Sequence, residues 1–301
     1  MPMAESTATS SAQKADTLLC RHPKRASKSD PAMKKIIVPT DFSPVAENAM
    51  DYALEIAAGF KSVLYLCHVY AFNKINYDIA FPKNNQPYAK EMEQLMERTA
   101  RRFSEKARDR GVAIRTFVKE DSLYYLFKSK VEELGIDMIV MGSKGASGLT
   151  KFIFGSVAAS AMEVAEAPVL IIPPGYAFRP FQNIVLARDQ KQLGSAVLMP
   201  LRNLAIHYGA KVTLLNVKTD TNENRGSVAD LSLDGVETTF REVLVSKSIG
   251  ETVTHYVQEE NADLLCMVRR KKTFFESIFQ KSLTKVQAFS NQVPLLVLPK
   301  G

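Results

Sequence analysis

Residues 35–44 read Lys-Ile-Ile-Val-Pro-Thr-Asp-Phe-Ser-Pro, and within them the pattern changes from that of a strand to that of a helix. Residues 36–39 form a short apolar run, typical of a buried parallel strand. Ser43 is a favoured N-cap residue, and Pro44 stands at the first helical position, where proline fits well. Apolar residues then recur at helical spacing as far as Ala57. The stretch predicts a strand followed at once by an amphipathic helix.

The same alternation continues through residues 34–174. Apolar runs typical of strands cover 36–39, 63–69, 112–118, 136–141 and 169–172. Helical stripes cover 46–57, 92–107, 123–134 and 157–165. Five strands separated by helices favour a parallel sheet with helices on both faces, which is an open α/β fold.

Internal similarity indicates that this unit occurs twice. Residues 35–41 resemble residues 183–189 at an offset of 148, and residues 168–173 resemble residues 294–299 at an offset of 126. A duplicated domain explains two collinear matches with consistent offsets. The offsets differ by 22 residues, and the loss falls within 218–235, where the second helix of the first copy has no counterpart.

These patterns divide the chain into a tail at 1–33, a first domain at 34–174 and a second domain at 175–301. We expect two tandem open-sheet domains, each with a five-stranded parallel sheet flanked by helices. The tail is rich in Ser, Ala, Thr and Lys, a composition typical of disorder. Its basic cluster at 21–28 is compatible with a targeting peptide, but acidic residues flank it. We therefore favour an extension that precedes a natural start at Met33.

Composition excludes several classes of protein. The 301 residues contain no apolar run near the ~20 residues of a membrane-spanning helix. Three scattered cysteines are too few for a disulfide scaffold and suit a cytoplasmic protein. The net charge of +7 is dispersed among acidic residues rather than concentrated in a stripe. We therefore expect neither a membrane nor a nucleic acid as a partner.

A glycine-rich loop follows the fourth strand, with the spacing Gly142-x2-Gly145-x9-Gly155-Ser156. Open α/β sheets bind ligands beyond the carboxyl ends of their strands, where this loop and Asp41 both lie. We expect the first two glycines to let the backbone approach an anion and to tolerate positive φ. Gly155 and Ser156 open the fourth helix, whose free amides would face phosphate oxygens. The alternative is that the glycines only shape a loop over the sheet, but three spaced glycines together with Asp41 favour a ligand site.

Three segments carry a resemblance to a known family. Residues 39–43 (Pro-Thr-Asp-Phe-Ser), 66–69 (Leu-Cys-His-Val) and 141–157 (Met-Gly-x2-Gly-x9-Gly-Ser-Val) resemble the universal stress protein family. The resemblance covers residues 34–174 in full and residues 181–300 more weakly. It implies a Rossmann-like fold of the adenine nucleotide alpha hydrolase-like type and a role in the stress response. It also implies ATP as the ligand, with Mg²⁺ on the phosphates.

In the ATP-binding branch of that family the matching positions hold the nucleotide. The resemblance implies that Asp41 and the backbone of Val69 meet the adenine, while Pro39 and Thr40 line the floor of the site. It assigns the ribose and phosphates to Met141, Gly142 and Gly145, and the phosphate tail to Gly155, Ser156 and Val157. Lys144 lies where the family varies, and we assign it as a cation at the rim.

The second copy has lost the glycines of the first. At the offset of 126, the three glycines become Val268, Lys271 and Lys281. Side chains at these positions would obstruct the path of the phosphates, so we interpret the second copy as a degenerate domain. The basic run at 269–272 would attract another anion, but a solvated basic loop is the favoured interpretation.

Together these features predict a regulatory nucleotide-binding protein with one functional site rather than an enzyme. No nucleophile is accompanied by a recognisable base, so no residue is predicted to be catalytic. No histidine or cysteine has metal-site spacing, and His68 is interpreted as a satisfied core histidine. Slow ATP hydrolysis or phosphotransfer in the first domain and a nucleotide-free scaffold stay open as alternatives.

The resemblance also bears on assembly. Members of the family usually pair through their last strands, which implies that 168–173 pairs with 294–299 inside one chain. A further homodimer stays open, and the sequence does not identify a protein partner.

Overall fold

A computed structural model describes residues 33–71, 86–144, 154–188, 193–218, 233–269 and 293–299. Its strands are β1 (Lys35–Pro39), β2 (Val63–Tyr70), β3 (Ile114–Glu120), β4 (Met138–Gly142), β5 (Val169–Ile172), β6 (Asn183–Arg188), β7 (Lys211–Lys218), β8 (Thr238–Leu244), β9 (Leu264–Val268) and β10 (Leu295–Leu298). Its helices are α1 (Pro44–Phe60), α2 (Gln86–Asp109), α3 (Leu123–Tyr125), α4 (Val131–Leu134), α5 (Ser156–Val164), α6 (Ser195–Tyr208) and α7 (Ile249–Glu259). A π-helical turn, Leu126–Lys130, joins α3 to α4.

The strands of the described residues form one sheet in the order β3-β2-β1-β4-β5-β10-β9-β6-β7-β8. Neighbouring strands are parallel except β5 and β10, which run antiparallel at the centre of the sheet. The predicted α/β fold, with parallel strands flanked by helices, is therefore confirmed. The two predicted five-stranded sheets are continuous with each other, because Val169–Ile172 lies beside Leu295–Leu298.

The register of the sheet repeats with the offsets read from the sequence. Ile36 lies opposite Met138 in the first half, and Ile184 lies opposite Leu264 in the second. The positions in β1 and β6 differ by 148 and those in β4 and β9 by 126, as in the two sequence matches. One limit of the predicted tail is wrong, since Met33 is buried in the core rather than part of the tail. The other domain limits stay a prediction.

A matching pair of aspartates joins neighbouring strands at the amino end of the sheet. Oδ2 of Asp137 accepts hydrogen bonds from the backbone N–H groups of residues 34 and 35 at 2.7 and 2.9 Å. Oδ2 of Asp263 accepts from the N–H groups of residues 182 and 183 at 2.9 and 3.0 Å. Each carboxylate thus fixes the start of one strand against the loop that precedes another.

Local signals explain where α1 begins and ends. Ser43 is the N-cap, its Oγ accepts from the N–H of Ala46 at 3.2 Å, and Pro44 follows as the first helical residue, as predicted. The helix ends at Phe60, and its C-cap residue Lys61 adopts a left-handed conformation with φ 56°. The third predicted helix differs, because the π-helical turn Leu126–Lys130 interrupts 123–134. Apolar spacing does not distinguish such a turn from a regular helix.

The core consists of two apolar layers, one on each face of the sheet. α1, α2 and α6 cover one face, with Leu54, Met96 and Leu201 buried against the strands. The π-helical turn, α5 and α7 cover the other face, with Phe127 and Val253 buried. Both layers extend across both halves of the chain, so the two halves share one core.

Some predictions concern parts of the chain outside the described residues. These parts are most of the tail (1–32), most of the segment assigned to the lost helix (219–232) and most of the glycine-rich loop (145–153). In the described part of the chain, no helix has both the length and the apolar character needed to cross a membrane.

The two aspartates give a matched test of the duplication. We expect Asp137→Ala and Asp263→Ala each to lower the free energy of unfolding by ~1–2 kcal/mol, because two backbone N–H groups lose a charged acceptor. Chemical denaturation of the two variants measures this, with Asp109→Ala at the exposed end of α2 as the control. A loss in only one variant would contradict equivalent roles.

Candidate functional site

A cavity of about 310 Å³ lies at the carboxyl ends of β1 and β4. The chain leaves β1 through α1 to reach β2 on one side, while β4 lies on the other side, so the strand order reverses at this point. Connections that leave a sheet on opposite sides of such a reversal open a crevice, where open α/β sheets bind ligands. The position of the cavity is therefore typical of a ligand site.

Ten of the eleven residues predicted for the site line this cavity. They are Pro39, Thr40, Asp41, Val69, Met141, Gly142, Lys144, Gly155, Ser156 and Val157. Gly145 lies outside the described residues. Ala46, Leu123 and Ala158 also line the cavity, and the sequence reasoning missed them because small and apolar side chains carry no chemical signal. That these residues bind a nucleotide stays a prediction.

The turn between β1 and α1 is held by its own side chains. Oγ1 of Thr40 accepts from the N–H of Phe42 at 3.0 Å, and Oδ1 of Asp41 accepts from the N–H of Ser43 at 3.1 Å. Phe42 has φ 62°, in the left-handed region that bulky residues rarely adopt. The turn thus keeps one strained residue in place and orients the Asp41 carboxylate at the edge of the cavity.

His68 lies under this turn and takes part in the wall of the cavity. Its Nδ1 is 2.8 Å from the carbonyl oxygen of Thr40, so Nδ1 carries the proton and donates it. The Phe42 ring packs against the imidazole, with centroids 4.8 Å apart. Nε2 is buried and has no hydrogen-bond partner. The interpretation of His68 as a satisfied core histidine is therefore wrong for one of its two nitrogens.

Gly142 has a packing role that the sequence did not predict. Its φ is not positive, and a Cβ at this position would lie 2.7 Å from Cγ1 of Val45 and 3.1 Å from the Val45 carbonyl oxygen. The absence of a side chain therefore lets the first turn of α1 approach β4. Gly142 therefore does not use the tolerance of positive φ expected of it. That its backbone also approaches an anion stays a prediction.

The N-terminus of α5 forms the opposite wall of the cavity. Its N-cap is Gly155, which has no side chain to accept from the first amides of the helix. The N–H of Gly155 itself donates to the carbonyl oxygen of Ser143 at 2.8 Å, which ties the helix start to the end of β4. Ser156 and Val157 at the first turn line the cavity, together with Lys144. The positive end of the helix dipole and a cation thus meet at one wall, an arrangement that favours an anion.

The corresponding corner of the second half has different chemistry. Arg188, at the position of Thr40, is buried. Asn216, at the position of His68, donates from Nδ2 to the Glu242 carboxylate at 3.2 Å. Positions 271, 281 and 282, which match the glycine-rich loop, lie outside the described residues. The degenerate state of the second half therefore stays a prediction.

The first residue of the basic run at 269–272 is only partly exposed to solvent. Arg269 is half-buried, and its Nη1 donates to the carbonyl oxygen of Ala165 in the first half at 2.7 Å. The interpretation of a solvated basic loop is therefore wrong for this residue, since its guanidinium is bound across the junction of the halves. Residues 270–272 lie outside the described residues.

Comparison with known proteins finds relatives from one family. Residues 33–173 match the model of the universal stress protein family. Universal stress protein A homolog 1 of Coxiella burnetii is 30% identical over 141 residues, which are 46% of this chain and 95% of that protein. A universal stress protein of Methanocaldococcus jannaschii is 28% identical over 141 residues, which are 46% of this chain and 81% of that protein.

A solved structure resembles almost the whole chain. The crystal structure of a universal stress protein from Archaeoglobus fulgidus aligns with a TM-score of 0.68 and covers 89% of this chain and 99% of that one. Its sequence identity is 19%, so the likeness concerns the fold alone. The fold similarity therefore extends into the second half, beyond the residues that match the family model.

Because Gly142 packs closely against Val45, a side chain at position 142 should destabilise the protein even without a ligand. We expect Gly142→Ala to lower the free energy of unfolding by ~1–3 kcal/mol, because the new Cβ overlaps Val45. Val45→Ala in the same chain should restore part of the loss, and denaturation without nucleotide measures both. Gly194→Ala is the control, since nothing lies within 4 Å of a Cβ there. A Gly142→Ala variant as stable as that control would contradict the packing role.

Proposed function

The chain belongs to the universal stress protein family, and from this premise we propose that it binds ATP in the cavity between β1 and β4. The strongest support is the wall formed by α5, where a glycine N-cap leaves the first amides without a side-chain acceptor. A volume of about 310 Å³ falls at the lower end of the ~300–1,000 Å³ common for small-molecule sites. An adenosine group suits such a space better than a large ligand does.

The proposal places the adenine at the β1 and β2 side of the cavity. Val69, at the end of β2, would offer its backbone to the edge of the base, and Asp41 would accept from a donor of the nucleoside. Pro39 and Thr40 would form the floor, which the hydrogen bond from His68 to Thr40 makes rigid. A rigid floor lowers the entropy cost of ordering the site on binding.

The phosphates would then lie at the N-terminus of α5. Amides of Ser156 and Val157 and the ammonium of Lys144 would donate to the phosphate oxygens. Among the described residues that line the cavity, Asp41 is the only carboxylate. Mg²⁺ usually keeps several waters and binds through substrate phosphates, so the phosphates and water would hold most of its coordination shell. The metal would supply charge neutralisation.

We assign a regulatory role in the stress response rather than a catalytic one. Phosphoryl transfer needs a group that orients the attacking water at the γ-phosphate. The described lining residues with titratable side chains are Asp41, His68 and Lys144. Asp41 is assigned to the nucleoside, and Nδ1 of His68 is held by Thr40 while its Nε2 is buried. This arrangement favours retention of ATP over its hydrolysis.

The same proposal includes a cytoplasmic location. Cys67 and Cys266 are free and fully buried, and burial raises the pKa of both thiols. Thiols in this state act as small apolar side chains, which suits a reducing compartment.

The substitution Ser156→Asp tests the phosphate wall. A carboxylate in the first turn of α5 interacts favourably with the helix dipole but repels phosphates, so it separates binding from stability. We expect the Kd for ATP to rise at least about tenfold, because the new carboxylate repels the phosphates at close range. The Kd for adenosine should change less than about twofold. Titration calorimetry measures both affinities.

The chain offers a matched control for that substitution. Ser195 is the first residue of α6 and, like Ser156, follows a glycine N-cap and is exposed. We expect Ser195→Asp to bind ATP like the wild type and both variants to melt no lower than the wild type without nucleotide. Equal ATP affinity of the two variants would refute the proposed phosphate wall.

A further inference from the structure

α5 lacks a cation of its own at its C-terminus. Its last turn contains no basic residue, and it contains Glu163, whose negative charge interacts unfavourably with the negative end of the helix dipole. Glu166 follows the C-cap residue Ala165 and adds a second carboxylate nearby. The end of α5 remote from the cavity therefore needs positive charge from elsewhere.

Arg269 of the second half supplies that charge. Its Nη1 donates to the carbonyl oxygen of Ala165 at 2.7 Å, across 104 residues of sequence. Its backbone N–H donates to the carbonyl oxygen of Leu298 at 2.8 Å, which anchors the residue at the ends of β9 and β10. Burial lowers the pKa of the Arg269 guanidinium, and the carboxylates of Glu166 and Glu163 oppose this effect. An arginine stays charged under these conditions.

The position of Arg269 in the duplicated fold is informative. It matches Ser143 of the first half at the offset of 126. The backbone N–H of Ser143 donates to the carbonyl oxygen of Ile172 at 3.0 Å, which is the same bond that the N–H of Arg269 makes with Leu298. In the first half, the residue after this position, Lys144, lines the cavity. In the second half the equivalent residue carries a long cationic side chain that contacts the other half instead.

We propose that Arg269 is a positioning residue for the phosphate-binding helix, so that the second half completes the site of the first. The inference rests on the proposed ATP site. α5 has nine residues and is therefore ~13–14 Å long, so a charge at one end and an anion at the other act on the same short dipole. The hydrogen bond to Ala165 also fixes the far end of the helix, which keeps its first amides aimed at the cavity.

Arg269→Met tests this role through the difference between two ligands. We expect the Kd for ATP to rise about three- to tenfold, because phosphates sense the orientation and dipole of α5. The Kd for adenosine, which lacks phosphates, should change less than about twofold. Arg179→Met is the control with the same change of charge. Arg179 is exposed, and the contacts described for its side chain are with Tyr176, in the segment between β5 and β6. Equal weakening of ATP and adenosine, or no weakening of ATP, would overturn the proposal.

Hydrogen exchange gives a second test that needs no nucleotide. In the nucleotide-free protein, amides of residues 160–165 should exchange at least threefold faster in Arg269→Met than in Arg179→Met. If the wild type binds no ATP, the proposed function fails, while this comparison still reports whether Arg269 holds α5. Unchanged exchange would overturn the positioning role.

The wild-type protein offers a third readout should Arg269→Met fold poorly. Coupling between two sites is reciprocal, so phosphates at the N-terminus of α5 should stabilise the contact at its C-terminus. We expect saturating ATP to slow exchange at residues 264–269 in the second half, and adenosine to leave it unchanged. Slowing by adenosine to the same extent, or no slowing by ATP, would contradict the inference.

Discussion

The antiparallel pairing of β5 with β10 determines how the two halves act on each other. Three residue pairs, from Ile171 with Leu295 to Val169 with Val297, join two parallel sheets into one. β5 and β10 are the last strands of their halves. The first helix of each half, α1 in the first and α6 in the second, therefore lies on the same face of the joined sheet. A Cβ at Gly59 of α1 would lie 2.7 Å from Nε2 of His207 of α6, so these helices are in close contact.

This junction joins the duplicated halves through contacts on both faces of the sheet, so they are not two independent domains. Burial in the contact between α1 and α6 lowers the pKa of His207, and the Phe60 ring lies 4.2 Å from its imidazole. On the other face Arg269 crosses the junction to α5. A second half without the glycine motif is therefore still bound to both helices that open onto the cavity of the first half. Its loss would uncover α1 at Gly59 and remove the hydrogen bond of Arg269 to the end of α5.

Short-range signals in the sequence predicted most of the fold. Apolar runs identified the strands of the first half, Ser43 and Pro44 placed the start of α1, and the two offsets predicted a second copy of the unit. The features that escaped prediction depend on contacts between distant residues. Gly142 is packed against Val45, 97 positions earlier in the sequence, and the partner of Arg269 is 104 residues away. The glycine spacing drew attention to residues that line one cavity, while the packing of Gly142 against a helix could not be read from that spacing.

The nucleotide content of the purified protein tests the central claim most directly. The protein is purified without added nucleotide and denatured, and the released material is separated by chromatography and counted per chain. The account predicts about one equivalent of ATP per chain, since only the first half carries the three spaced glycines in its sequence. Two equivalents would contradict the unequal roles of the halves. No nucleotide, together with no rise in Tm on adding ATP and Mg²⁺, would contradict an adenine nucleotide site altogether.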